Sequence, residues 1–300
     1  MKSWIQIVIV AVAAFALPAH AALNVFSTVP EWGALASELG GDKVNVYVAT
    51  NGLQDPHHVE AKPSLIARAR NADLVIATGA ELEIAWLPLV MQQSGNAKVR
   101  PGQPGYFEAA AHVPMIEKPA RLDRAEGDVH PYGNPHVHTD PRNIARVAQP
   151  LSAKLAELDP SNASYYDARY KSFSERWRNA IARWEQSAAP LKGLPIVVQH
   201  QAFSYLIQWL GVKQVATLEP KPGVEPTVAY LSEVLARLQQ QPAKMVLRPA
   251  YQSGRASQWI ADRTQIHVVV LPFTVGGDDQ ARDLFSLFDV TIARLLKGAQ

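Results

Sequence analysis

The chain has 300 residues, 48% of them hydrophobic, and a formal charge of +2 with no run of Lys or Arg. Length and composition fit about two globular domains, and the charge leaves no electrostatic footprint for nucleic acid or an anionic membrane surface. Cysteine is absent, which excludes disulfides, thiol catalysis and zinc–thiolate sites; any metal site must be built from His, Asp, Glu and water. Residues 1–22 run from Met-Lys-Ser-Trp through IQIVIVAVAAFAL to PAHAA. A basic start, a short apolar run and Ala19-His20-Ala21 follow the plan of a secretory signal peptide. The run falls short of the roughly 20 apolar residues of a membrane span. The mature chain is therefore expected to start after Ala21 or Ala22, free in a periplasm and not membrane-inserted.

LNVFST (23–28) reads as a buried strand, and EWGALASELGG (31–41) as a helix stopped by paired glycines. KVNVYVAT (43–50) alternates as a strand, PSLIARARNA (63–72) is a helix opened by Pro, and DLVIATG (73–79) is an apolar strand. This β-α-β-α-β order predicts a parallel sheet covered by helices. Residues 94–143 are rich in Gly and Pro and show no clear element, a length that is usually functional. Helical spacing returns at 141–159, where Pro150 is expected to kink or split the helix. Residues 161–187 predict a long helix capped by Ser161 or Asn162, with a stripe of Tyr166, Tyr170, Phe173, Trp177, Ile181 and Trp184. At 1.5 Å per residue, about 27 residues span about 40 Å, enough to join two lobes. Strands are expected at 195–199, 213–218, 244–248 and 267–272, with helices between and after them. The expected fold is α/β: two parallel-sheet lobes, 23–160 and 190–300, joined by one long helix, 161–189.

Ligands of such lobes bind outside the carboxyl ends of the strands. His57 follows the strand 43–50, His136 lies in the Gly/Pro-rich segment EGDVHPYGNPHVHTDPRN, and His200 ends the strand 195–199. Two ligands from the first lobe and one from the second would place a metal in the cleft between lobes. The spacing alone does not establish this, because no short local motif fixes the geometry and a single loop histidine is more often solvated or hydrogen-bonded.

Four segments add a resemblance. DPHHVEAKPSLIARARNADLVIATGAELEIAWLP, NPHVHTDP, VVQHQAFSYLIQWLGV and LEPKPGVEPTVAYLSEVL resemble, in register over about 23–297, the metal-binding proteins of ABC transporters, the cluster A-I or ZnuA/TroA-like family. The resemblance implies two α/β lobes bridged by a rigid helix, capture of a metal for an inner-membrane ABC permease, and His57, His136 and His200 as metal ligands. It implies no catalytic role. Departures are Val59 for an aromatic, His138 for Trp, and Leu271 and Arg248 where family carboxylates stand. A fourth ligand is thus left open among water, Asp278, Glu60 and His130. Three neutral imidazoles favour Zn²⁺ as the bound ion over Mn²⁺, which prefers hard oxygen. Such a site is expected to lose affinity as pH falls through about 6.5, the ordinary imidazole range. Asn134 and Asp140 are expected to hold the His136 loop, and Glu81 and Glu83 to orient the cleft or meet the transporter. His58 is expected in solvent; His112 and His267 are expected to be structural. The binding protein is expected to be a monomer. Two rival readings are a periplasmic zinc hydrolase, with a three-His–water centre and Glu60 as base, and a binding protein for an organic or oxyanion solute.

Overall fold

The computed structural model describes residues 21–119, 127–128 and 130–300. The signal-peptide expectation falls almost wholly on residues 1–20, outside the described residues. No helix among the described residues is long and apolar enough to cross a membrane.

The first sheet is built from β1 (Leu23–Ser27), β2 (Val44–Val48), β3 (Leu74–Ala77) and β4 (Tyr106–Glu108), in the order β2-β1-β3-β4. Every pairing is parallel, with Val25 opposite Val46 and Leu74. Helices α1 (Pro30–Gly40), α2 (Pro63–Arg70), α3 (Leu87–Ser94) and α4 (Pro141–Leu158) accompany it. The second sheet, β5 (Pro195–Val198), β6 (Lys213–Thr217), β7 (Met245–Pro249) and β8 (His267–Leu271), has the order β6-β5-β7-β8, again all parallel. Its helices are α6 (Ser204–Leu210), α7 (Val228–Gln240), α8 (Arg255–Thr264) and α9 (Leu284–Gly298). The inner strands β3 and β7 read as continuous apolar runs, LVIA and MVL, because helices or the linking rod cover both faces of a parallel sheet.

Between the sheets runs α5 (Ala163–Ala188). Its stripe residues Tyr166, Phe173, Trp177 and Trp184 are buried in one core cluster that also takes in residues of both sheets. Trp177 Nε1 donates to the Pro141 carbonyl at 2.8 Å, fastening the rod to the start of α4. Phe285 and Phe288 of α9 meet Trp177 edge-on, at centroid distances of 4.9 and 5.6 Å.

Three expectations change. Pro150 does not split α4, which runs unbroken from Pro141 to Leu158. The carbonyl that loses its donor belongs to Arg146, on the exposed side of the helix, where water can replace the bond. Neither Ser161 nor Asn162 caps α5: the Ser161 hydroxyl and the Asn162 amide donate to the Asp159 carboxylate at 2.6 and 2.7 Å instead. The segment after residue 94 contains β4, a three-residue edge strand too short to show alternation.

Candidate metal centre

Each of the three histidines is held by its own local structure. His57 lies in the loop after β2. Asp55 Oδ1 accepts from the His57 backbone N–H at 3.0 Å and sits 2.8 Å from its Nδ1. Buried Trp86 closes the turn by donating to the Pro56 carbonyl at 3.0 Å. His200 ends the run out of β5, and its Nδ1 stands 2.6 Å from Glu219 Oε2, just beyond β6. The same Glu219 oxygen accepts from Gly223 N–H at 2.8 Å, and Oε1 accepts from Gln252 at 3.0 Å. His136 has no carboxylate partner among the described residues. Its backbone N–H donates to Asn134 Oδ1 at 3.0 Å, its carbonyl accepts from Thr139 at 3.0 Å, and its ring meets Phe273 edge-on at 5.3 Å.

The three side chains are buried, and one ring nitrogen from each lies within 4.8 Å of the others. With Nδ1 committed to a carboxylate in His57 and His200, Nε2 is the nitrogen left over; carboxylate contacts of this kind fix the ring orientation of metal-binding imidazoles. His57 Nε2 and His136 Nδ1 are buried without a hydrogen-bond partner among the described residues. Buried polar atoms left this way are rare and mark a place where a further partner belongs. Burial, followed by the facing imidazoles of His57 and His200, pushes His136 well below its ordinary value. Burial pushes Asp55 up, but the hydrogen bond and charge of His57 outweigh it and hold this carboxylate below its ordinary value. The site therefore resists a proton on His136 while keeping a negative charge beneath His57, an arrangement suited to a Lewis-acidic cation.

No carboxylate among the described residues joins this nitrogen group. Asp278, close in sequence to the second lobe's site segments, is spent elsewhere: Arg294 Nη2 donates to it at 2.5 Å and Gln280 N–H at 2.9 Å. Glu60 is exposed and points to no partner in the group. Arg248 donates to the Gln252 carbonyl at 2.5 Å, and Leu271 is buried. His130 comes closer, its ring centroid 5.3 Å from that of His57, with its Nε2 buried and unpartnered; burial and its imidazole neighbours bring its pKa down to about 4. It lies outside the three-nitrogen group. A cavity of about 340 Å³ opens beside the rings, lined in part by Asp128, His130, His136 and His200.

Asn134 does hold the His136 loop, and it also donates to the Gln201 carbonyl at 2.8 Å across the cleft. Asp140 does not touch His136; it caps α4 through Arg142 N–H at 2.8 Å and pairs with the Arg142 guanidinium. Glu83 is buried under the cleft, accepting from the Thr28 hydroxyl at 2.6 Å and from Thr78 and Gly79 N–H at 2.7 and 3.1 Å. His138 is buried. His58 is exposed, with Asp128 at 3.9 Å. His112 stacks on Phe107, and His267 is exposed at the start of β8. Sequence reasoning missed Asp55 and Glu219 as supports of the rings. The signals were the acid two positions before His57, in DPH, and the acid opening LEPKPG.

The sequence model described as "Zinc-uptake complex component A periplasmic" (ZnuA) matches residues 25–298. The high-affinity zinc uptake system protein ZnuA of Bacillus subtilis is 22% identical over 265 residues, 87% of this chain and 81% of that protein. The manganese ABC transporter substrate-binding lipoprotein PsaA of Streptococcus pneumoniae is 21% identical over 272 residues, 88% of this chain and 85% of that protein. Against the zinc-binding lipoprotein AdcA of S. pneumoniae identity is 23% over 216 residues, 71% of this chain, which spans only 42% of AdcA. A crystal structure of ZnuA superposes with a TM-score of 0.77 at 22% identity, covering 93% of this chain and all of that one. A Mn-bound periplasmic metal-binding protein from Candidatus Liberibacter asiaticus gives 0.75 at 18% identity, covering 92% and 99%. At these identities the structural likeness speaks for the fold.

Proposed function

The chain belongs to the ZnuA family of metal-binding components of ABC uptake systems, and from that premise we propose that it captures Zn²⁺ through His57, His136 and His200. A family of substrate-binding proteins hands its cargo to a permease and does not turn it over. The observation that carries the metal is the donor set: three imidazole nitrogens within 4.8 Å of one another and, among the described residues, no carboxylate oxygen joining them. Neutral imidazole suits Zn²⁺, whereas Mn²⁺ prefers hard oxygen donors. In a tetrahedral zinc site with bonds of about 2.0–2.1 Å, ligand nitrogens stand about 3.3 Å apart. The three nitrogens are within reach of one such ion, and water completes the shell. PsaA, named for manganese, keeps the opposite choice of metal open to test.

The same proposal takes in the rest of the transport cycle. The chain is exported by its first 22 residues, works as a periplasmic monomer, and docks on an inner-membrane ABC permease. It is divided into a first lobe at 23–160, a linking helix at 161–189 and a second lobe at 190–300. Several relatives are named lipoproteins; this chain has no cysteine to carry a lipid thioether. The hydrolase reading loses its base, since Glu60 is exposed and outside the nitrogen group.

Calorimetric titration of the metal-stripped mature chain with Zn²⁺ and Mn²⁺, beside His57→Ala, His136→Ala and His200→Ala, tests the reading. One tight zinc site per chain, weakened in all three variants, is expected. Tighter manganese than zinc would overturn the metal, and unchanged zinc binding in any variant would remove that residue from the ligand set.

A further inference from the structure

A second set of buried polar side chains crosses between the lobes, apart from the nitrogen group. Glu31, in the first turn of α1, is 2% exposed, His138 2% and Thr274 5%. The Thr274 hydroxyl donates to Glu31 Oε2 at 2.6 Å. Glu31 Oε1 lies 3.0 Å from His138 Nδ1, and His138 Nε2 stands 3.1 Å from the Phe273 carbonyl. A carboxylate from the first lobe, a ring from the loop that carries His136, and a hydroxyl and a carbonyl from the segment after β8 thus meet in one polar group, in which the Glu31–His138 link is a close contact without hydrogen-bond geometry and the other two links are hydrogen bonds. Burying a carboxylate in a protein interior costs free energy unless it is well paired, and apolar side chains of similar volume fill such places without that cost. Simple filling of the seam therefore does not account for Glu31.

Phe273 shows what the polar group acts on. Its carbonyl faces His138, and its ring packs edge-on against both His136 and His138, at centroid distances of 5.3 and 4.8 Å. The His136 loop and the segment 273–274 are thus tied to each other and, through Glu31, to α1. Close by, Gly52 of the first lobe lies so near the second that a Cβ there would stand 2.2 Å from Gly277 N.

We propose that Glu31 is a positioning residue: through Thr274 and His138 it holds the His136 loop and the second lobe at the spacing where the three imidazole nitrogens converge. This rests on the reading of His57, His136 and His200 as ligands. A site assembled from two lobes binds more tightly when the lobes are already held near the bound separation, because less ordering is left for the binding step. Breaking up the polar group returns that ordering cost to the metal and shortens its residence.

The test uses the mature chain and the variants Glu31→Leu, Glu31→Gln and Thr274→Val. Three quantities are measured: zinc release to a chelator, the ligand-field spectrum of the Co²⁺-loaded form, and the melting midpoint of the metal-free form. Loss of one buried hydrogen bond is expected to speed zinc release about tenfold in Thr274→Val, and by more in Glu31→Leu. Both should also alter the cobalt bands. Glu31→Gln, which keeps an acceptor for Thr274, should recover most of the wild-type rate. If the metal-free midpoint falls in Thr274→Val while release and cobalt spectrum stay wild-type, the polar group is only structural and the proposal fails. If the wild-type protein binds neither zinc nor cobalt, the ligand reading itself falls and takes this inference with it. If wild type binds but His136→Ala binds equally well, the positioning of His136 has no object and the inference is overturned alone.

Discussion

The two lobes share one strand order, β2-β1-β3-β4 in the first and β6-β5-β7-β8 in the second, yet they build their shares of the site differently. In the first lobe the ring and its carboxylate come from a single turn after an edge strand, Asp55 and His57 being two residues apart. In the second lobe the ring leaves the inner strand β5 and its carboxylate comes from beyond β6, 19 residues later. One half-site is a local motif; the other exists only when two neighbouring strands are in register. His136 makes a third case, with a buried ring that has no carboxylate behind it among the described residues. Local support should tolerate loosening of the sheet, whereas support assembled across strands should report on it.

Removing a ring is the harshest way to probe this difference. If a zinc site worth on the order of 10–16 kcal/mol is shared among its ligands, each alanine variant should weaken binding by on the order of a hundredfold or more. Calorimetry should find His57→Ala and His200→Ala alike, since both remove a ligand outright; a tenfold gap between them would mean that the lobes contribute unequally even at the metal. The carboxylates come next. Asp55→Asn and Glu219→Gln should each cost about 10–100-fold in affinity. The larger loss is expected at Glu219, which also holds Gly223 and Gln252 in place. Equal losses would erase the distinction between local and assembled support.

A smaller effect is expected where the lobes touch through backbone alone. A Cβ on Gly52 would meet Gly277 N and Gly276 C at 2.2 and 2.3 Å. Gly52→Ala must therefore push the loops apart, with a stability cost of about 1–3 kcal/mol seen in denaturant melts. An unchanged melt with unchanged zinc affinity would show that this approach can relax freely.

The least effect on metal affinity is expected at Glu83, where the comparison turns to pH. The first lobe pins the ends of β1 and β3 with this buried carboxyl, which burial pushes up to about 7. The second lobe ties the end of β5 to Ser253 with the neutral amide of Gln199, at 2.7 Å. With its folded pKa above the unfolded value of 4.5, Glu83 favours the folded state most at low pH. That contribution declines as pH rises from about 4.5 to 7. Melts of wild type across this window should show the decline, and Glu83→Gln should flatten it. Identical slopes in the two proteins would place the pH dependence elsewhere.

Much of this arrangement was legible in the chain itself, for identifiable reasons. The strands were readable because parallel strands buried on both faces are runs of Val, Ile and Leu; His200 was readable at the end of β5, and His57 and His136, which lie in loops, through the family resemblance of their segments. Asp55 was readable in principle, since everything it does happens within one turn. Glu219 was visible only as the acid of LEPKPG; its partner was not, because that role depends on the pairing of β5 with β6. Asp278 misled for the mirror-image reason: it lies close to the site in sequence, but Arg294, one helix away, takes its carboxylate. Pro150 misled because helix breaking was weighed without knowing that the orphaned carbonyl faces solvent.

The aromatic seam along α5 has an optical consequence. Trp177 and Trp184 lie against Phe285 and Phe288 of α9, the Trp184 indole donates to Asp289 at 2.6 Å, and Trp209 donates to Glu185 at 2.9 Å. Each indole is thus a chromophore whose surroundings are contributed partly by the rod and partly by the second lobe. A small rotation of that lobe changes the field and the quenchers around these rings, so the emission spectrum of the unlabelled protein is a built-in gauge of lobe position.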